Sequence, residues 1–431
     1  MSLNRRSFLS MTAIATTLAA AAACGSNDAS TATATASDAP DGATAESTDE
    51  QVVRDANADL VIWTDEVKAG ALKDIAQKWG DEQDITVAVQ TVANDELQSN
   101  FIAANSAGNG PDMIVAAHDW IGNLVQNGAI SPITLDSAAE SNYSQVALDA
   151  VTYDGQYYGV PYCVETLGLF VNKDLTDVTE PATIEELVEA GQASGADVVL
   201  SLPVGEAGDA YHMEPLYTSG GGYLFGTKSD GSLDATDVGV GGEGSIAAAE
   251  KIGGLGEQGV LTTSVTSDNA ISLFTEGKAA YLISGPWALG DINTAGINFE
   301  LSKIPGFEGM DDARPFAGVN AFYVAAAGAN KAFAQTFVAD VARDSTIAEA
   351  MYAINPLPPV QEDLASKLES SDANMVKFMD FAENADPMPA IPEMSAVWGP
   401  LGMAEANIVD GSEPESTMTS AGDEIRSTLG L

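Results

Sequence analysis

Positive charge is scarce in this sequence: 17 Lys and Arg stand against 63 Asp and Glu, a formal net charge of -46. Binding a phosphate backbone requires clustered Lys and Arg, so the absence excludes nucleic acid as a partner. Anionic lipid headgroups are repelled for the same reason, which keeps the body of the chain off a membrane surface. A neutral ligand escapes this argument, because local geometry binds it rather than net field. Histidine and cysteine are almost missing, with 2 of each. Two histidines provide no zinc spacing, and there is no nucleophile elbow and no phosphate loop, so no metal and no cofactor are expected. Only Cys163 follows Cys24, so no disulfide is available within the globular part, and Cys163 is expected as a small buried side chain. Beyond the N-terminus no apolar stretch is long enough to span a bilayer.

What is present at the N-terminus sets the compartment. Arg5 and Arg6 precede an Ala-rich, largely apolar run over residues 8–23 that ends at Cys24, the pattern of a signal peptide over residues 1–23. Ala21, Ala22 and Ala23 before Cys24 resemble a bacterial lipobox. That resemblance implies cleavage before Cys24, attachment of diacylglycerol to its sulfur, and a protein anchored by lipid on the outer face of the cytoplasmic membrane. The alternative is ordinary secretion, with cleavage after an alanine and Cys24 a chance thiol. Asn4 to Leu9 also resemble a twin-arginine export signal, and the export route stays open. Residues 24–57 are rich in Ser, Thr, Ala and Asp without apolar periodicity, and read as a lipidated, disordered linker.

The remaining body is long for a single core and is expected to divide in two. Residues 59–64 (DLVIWT) read as a buried strand, 69–80 as a helix with Leu72, Ile75, Ala76 and Trp79 on one face, and 85–92 as a strand with period-two alternation. A helix over 95–107 and a strand over 112–116 follow. This succession predicts an α/β lobe with a largely parallel sheet, whose ligands lie beyond the carboxyl ends of the strands, in the turns after Trp63, Ala116 and Tyr162. Near Glu165 a second lobe begins, with strands over 167–171, 198–203 and 279–284 and a helix over 184–194. Helices are also read over 246–256, 270–277, 332–343 and 403–409. Gly220 to Gly222 read as a tight turn, since no helix with a Lys-Ser/Thr pair follows them.

Seven strings in order, DLVIWTDEVKAGAL, GPDMIVAAHDWIGNLVQNGAI, VPYCVETLGLFVNKDL, EPLYTSGGGYLF, FTEGKAAYLISGPWALGDI, RPFAGV and MPAIPEMSAVWGPL, resemble the maltose/maltodextrin-binding proteins of ABC importers. The resemblance covers nearly the whole mature chain. It implies a two-lobe, periplasmic-binding-protein-like α/β fold with a multi-segment hinge and an interlobe ligand cleft. Residues 58–164 and 316–369 would form lobe 1, and residues 165–315 and 370–431 lobe 2. The protein would be a monomer that closes around an oligosaccharide and is read in that state by the permease subunits of an ABC transporter.

A pyranose offers apolar C–H faces to flat aromatic rings and a rim of hydroxyls to charged groups. Trp287 and Trp398 stand where the family has stacking tryptophans, and Tyr211 matches its cleft tyrosine. Lys68, Asp119 and Glu165 match its hydroxyl-binding lysine, aspartate and glutamate; Asp209 stands where the family has a glutamate, and Met388 would be an apolar wall. Without the resemblance, each tryptophan reads as a core residue and each carboxylate as a solvated charge or helix cap. His118 is expected to be buried and structural. The sequence departs from the pattern at Val67, where an acid is lost, at Ala116 and Leu289, where tryptophans are lost, and at His212, where an aromatic is lost. Trp120 replaces an arginine, and stacking is expected to have moved to it. These changes leave open a receptor for a xylo-, galacto- or fructo-oligosaccharide or for trehalose. A non-transport surface adhesin is a further reading, and so is a glycoside hydrolase using Asp119 and Glu165 as its carboxylate pair; an enzyme is not expected.

Overall fold

The computed structural model describes residues 52–229 and 232–431. The expected signal peptide, the lipid attachment at Cys24 and most of the expected linker lie outside the described residues. The linker's last residues, 52–57, are described and are held to the first sheet, Arg54 donating to Asp112 at 2.8 Å and Gln90 to the Val53 carbonyl at 2.9 Å, so the ordered body starts before residue 58. In chain order the strands that matter for the site are β1 (Leu60–Thr64), β2 (Val87–Thr91), β3 (Met113–Ala117), β4 (Gly159–Glu165), β5 (Gly168–Asn172) and β6 (Val198–Ser201). They continue with β7 (Phe225–Thr227), β8 (Leu233–Val238), β9 (Ala279–Ser284), β10 (Phe299–Ser302), β11 (Phe316–Val324) and β12 (Asp386–Pro387).

One sheet runs β2–β1–β3–β11, with β4 and β12 sharing the far edge of β11. β1 is parallel to β2 and to β3, as the alternation of strands and helices predicts. β11 breaks that pattern: it lies antiparallel to both β3 and β4, pairing Asn320 with Ala117 on one side and Gly318 with Glu165 on the other. The sheet is therefore mixed rather than largely parallel. The cause is a strand contributed from far along the chain, buried over its whole length and uniformly apolar except at Asn320.

The second sheet runs β10–β5–β9–β6, with β5 antiparallel to both neighbours and β9 parallel to β6. Helices cover both faces. Leu169 and Val171 point into one apolar cluster, and Phe170 points the other way against Phe274, Phe299 and Phe378. This two-sided burial explains why the strands read as continuous apolar runs instead of alternating ones.

Two large cores result. The first draws on β1, β3, β4 and residues 317–325. The second draws on β5, β9, the helix α2 (Ala210–Ser219) and the helix α3 (Trp398–Val409), and takes in Phe316 and Met388. β11 thus starts in one core and continues in the other. Ala382 and Ala385, in a stretch expected to serve the second lobe alone, pack in the first core. Cys163 is a free, buried thiol, and the turn at Gly221 needs a positive φ of 94° that glycine alone adopts without strain.

Candidate functional site

Three carboxyl ends of the first sheet converge. β1 stops at Thr64, and Asp65 caps the helix α1 (Glu66–Glu82) by accepting from the Lys68 backbone N–H at 3.0 Å. This start is earlier than the apolar periodicity alone suggests, because the first turn of the helix is polar and faces a cavity. The same aspartate receives the Lys68 ammonium at 2.5 Å, so cap and ion pair fix the lysine together. Asp65 restores, upstream, the acid lost at Val67. At the end of β4 the Glu165 Oε2 accepts from the Asn320 side-chain amide of β11 at 2.8 Å. Burial pushes the Glu165 carboxyl up from its ordinary range, while the Lys68 charge and the Asn320 amide oppose that shift. Lys68, Glu165 and Asn320 line a cavity of about 660 Å³, joined by Asn94, Asn355 and, from the second core's side, Trp287. That volume lies within the ordinary span of small-molecule sites.

After β3 a 3₁₀ turn carries His118, Asp119 and Trp120. His118 is fully buried, as expected: its Nδ1 accepts from the Val319 N–H at 3.0 Å, so Nε2 carries the hydrogen and donates to the Met388 carbonyl at 3.1 Å. Burial holds the ring neutral, with its pKa lowered to about 4. Asp119 Oδ1 has no hydrogen-bond partner within the protein. Burial raises this carboxyl to about 6, with only its own backbone N–H opposing. Trp120 lies partly buried against the first core. Of the expected site residues, Lys68, Glu165 and Trp287 line the 660 Å³ cavity, and Asp119, Trp120, Asp209, Tyr211, Met388 and Trp398 do not.

Opposite, Trp287 leads from the cavity into a row of rings that lie beyond its lining. Tyr211 stacks on Phe316 with centroids 6.0 Å apart and planes 26° apart, and lies 6.4 Å from Trp287. Phe316 in turn meets Trp398 edge-on at 5.6 Å. Trp398, Phe316, Tyr211 and Trp287 therefore form one row, contributed by four separate segments. His212, which stands where an aromatic is lost, meets Trp287 at 6.1 Å and 89° and extends the row. Trp287 keeps 36 % of its surface exposed, far more than a core tryptophan such as Trp63 at 0 %. Gly318 joins the two walls. A Cβ there would stand 3.4 Å from Met388 Cε, 3.7 Å from the Glu165 carbonyl and 3.9 Å from the Tyr211 hydroxyl, so a longer side chain would enter the space they share.

Asp209 is otherwise engaged. It caps α2, accepting from the His212 backbone N–H at 3.1 Å and pairing its other oxygen with His212 Nδ1 at 2.8 Å. Burial works against its ionisation, but the hydrogen bonds and charge of His212 outweigh that and leave its pKa below the ordinary value. Each oxygen holds one of these bonds and keeps a further lone pair, so the cap leaves the carboxylate able to accept from another donor. The residues that sequence reasoning missed are Asp65, Phe316, Asn320 and Asn355. Asp65 carried a legible signal, a capping aspartate before a helix. Phe316 lay in the string RPFAGV without a role, and Asn320 was the lone polar residue of an apolar run.

Chemically, one wall offers fixed donors and acceptors and the other flat apolar faces. Among the described residues no group of three His, Cys, Asp or Glu is disposed to hold a metal ion. A solved structure of a cyclo/maltodextrin-binding protein complexed with maltotetraose superposes with a TM-score of 0.74 at 28% identity, covering 87% of this chain and 98% of that one. In sequence, the galactooligosaccharide-binding protein of Bacillus subtilis is 28% identical over 381 residues, spanning 86% of this chain and 90% of the relative. The maltodextrin-binding protein of the same organism is 29% identical over 384 residues, spanning 85% and 88%. Residues 74–376 match the family described as bacterial extracellular solute-binding protein, and this chain belongs to that family.

Proposed function

We propose that the chain is the substrate-binding subunit of an ABC sugar importer, that it captures maltodextrins between its lobes, and that it performs no catalysis. One observation carries the reading: Trp287, from the second core's side, lines the same cavity as Lys68, Glu165 and Asn320. A sugar placed there would set its C–H face on the indole and present its hydroxyls to the charged groups. Contact with both walls would stabilise a closed arrangement, the state a transporter distinguishes. Trp398, Tyr211, Met388 and Asp119 would serve further along the row. Attachment through Cys24 would hold the protein at the outer face of the cytoplasmic membrane as a monomer beside its permease.

A galacto-oligosaccharide is the second reading, favoured by the Bacillus subtilis relative of that name and by the aromatic residues lost at Ala116, His212 and Leu289. Calorimetric titration of the mature protein with maltotriose, maltotetraose and β-galacto-oligosaccharides tests both. Saturable heat with the α-glucans alone is expected. Saturation by the galactosides alone moves the assignment to them, and release of shorter sugars from any of these would end the non-catalytic reading.

A further inference from the structure

A second cavity, of about 470 Å³, opens beside the aromatic row, and Phe316 is part of its wall. Its other walls come from α2 at Glu214, from the hairpin β7–β8 at Tyr223 and Asp237, and from the segments leading into β11 and β12 at Arg314 and Asp386. Glu214 follows Tyr211 on the same helix. The residue is 3 % exposed, and Oε2 has no hydrogen-bond partner among the described residues. A buried carboxyl oxygen left unpaired is costly, and a folded chain that keeps one commonly has a use for it. Arg314 is under-used as well. It reaches Asp386 only at 3.4 Å through Nε, longer than a good charge-assisted bond, and its side chain is 54 % exposed. Tyr223 donates to Asp237 at 3.0 Å and keeps much of its ring open.

The chemistry of these groups selects the occupant. Burial, reinforced by Asp386 and opposed by Arg314, raises the Glu214 pKa well above its ordinary value and so favours the neutral carboxyl, a group that both donates and accepts. Arg314 supplies spare donors, Asp386 and Asp237 supply acceptors, and Phe316, Tyr223 and Pro387 supply flat apolar surface. An anionic ligand would meet two ionised carboxylates against one guanidinium, and a cationic ligand would meet the guanidinium. A neutral polyhydroxylated molecule satisfies every group. We propose that this cavity, bounded by Glu214, Arg314 and Tyr223, is a second binding site that takes a neutral polyol of monosaccharide size. Its occupant touches α2, which carries Tyr211, and the paired segments at Phe316 and Asp386, where the two cores meet. Binding there therefore changes the affinity of the 660 Å³ cavity, and by linkage the effect is reciprocal.

The test uses the mature protein, amide NMR and D-glucose, D-galactose, D-xylose and myo-inositol as probes, with the first cavity empty or filled by the oligosaccharide that titrates it. At least one probe is expected to shift the amides around Glu214, Tyr223 and Arg314 in both states, and to change the oligosaccharide affinity at least twofold. Glu214→Leu removes the orphaned oxygen and is expected to fold at least as well while weakening the probe tenfold or more. Arg314→Ala and Tyr223→Ala, at exposed side chains, repeat the test without risk to the core. Shifts confined to Lys68, Glu165 and Trp287, or probe binding indifferent to all three substitutions, would overturn the proposal. Failure of oligosaccharide binding alone would sink the transport reading but leave this one standing, because the probes report the second cavity directly.

Discussion

The two walls of the main cavity are held in opposite ways. On the side of the first sheet, Asp65 and Lys68 are tied by an ion pair at the start of a helix, and Glu165, at the end of one strand, accepts a hydrogen bond from Asn320 within the next. On the side of the second core, Trp287 lines the cavity and continues by ring contacts through Tyr211 and Phe316 to Trp398, with Tyr211 and Trp398 resting on the apolar core and no hydrogen bond between the rings. A hydrogen-bonded wall is set before the ligand arrives and discriminates by position. A wall of rings contributes area and tolerates a shifted guest. The difference teaches where selectivity and where affinity reside, and it can be broken from either side.

The largest effect is expected from Glu165→Ala, which removes an acceptor and leaves Lys68 and Asn320 facing a void. Binding should weaken by about 1.5–3 kcal/mol by calorimetry, the range for a hydrogen bond to a charged group. A double-mutant cycle with Lys68→Met should show strong coupling, whereas one pairing Glu165→Ala with Trp398→Ala should be nearly additive. Equal coupling in both cycles would erase the distinction between the walls.

Next comes pH. Burial raises the Asp119 pKa from an ordinary 3.8 to about 6, so the native state holds its proton more tightly. Its contribution to stability is therefore full at low pH and declines as pH rises from 3.8 to about 6, by about 3 kcal/mol in all. His118 runs the other way. Its pKa falls from 6.5 to about 4, so stability drops as pH falls through that window. The neighbours nearly cancel. Asp119→Asn should unmask the histidine: relative to the unsubstituted protein the variant gains stability between pH 4 and pH 6 and stays ahead above it, as urea titrations at several pH values would show. Oligosaccharide affinity should rise with pH through about 6 in the unsubstituted protein, because an ionised carboxylate is the better acceptor, and stay flat in the variant. Parallel stability profiles would mean that Asp119 is not desolvated.

Trp398→Ala tests the ring wall and should weaken binding by about 1–3 kcal/mol, from lost stacking and burial. The smallest change is expected from Lys68→Ala on thermal unfolding. Its ion pair is partly exposed, so stability should move by less than about 1 kcal/mol while binding drops. A large loss of stability with intact binding would make Lys68 a structural residue.

Much of the fold was legible because strand ends and helix faces are local. DLVIWT, its capping aspartate and the 3.6-residue spacing of Leu72, Ala76 and Trp79 announce one strand, turn and helix without help from distant residues. The antiparallel placement of β11 between β3 and β4 was not legible, since an apolar run does not state its partner or direction. At the site, Lys68, Glu165 and Trp287 came from likeness to a family and not from periodicity. Asp209 illustrates what likeness leaves out: the matching side chain also caps α2 and pairs with His212, a local role that the family pattern does not state. Trp120 illustrates another, because an aromatic beside the cleft satisfies a hydrophobic core as readily as a sugar.

β11 also sets a timetable. The four strands of the second sheet are complete by Ser302, but the first sheet lacks its central nine-residue member until Val324 has been made. Until then the facing edges of β3 and β4 are open to any stray strand, the situation that invites misassembly. The strands written first therefore wait for a partner written much later, while the second core in turn waits for α3, so neither half can close before the last part of the chain has emerged.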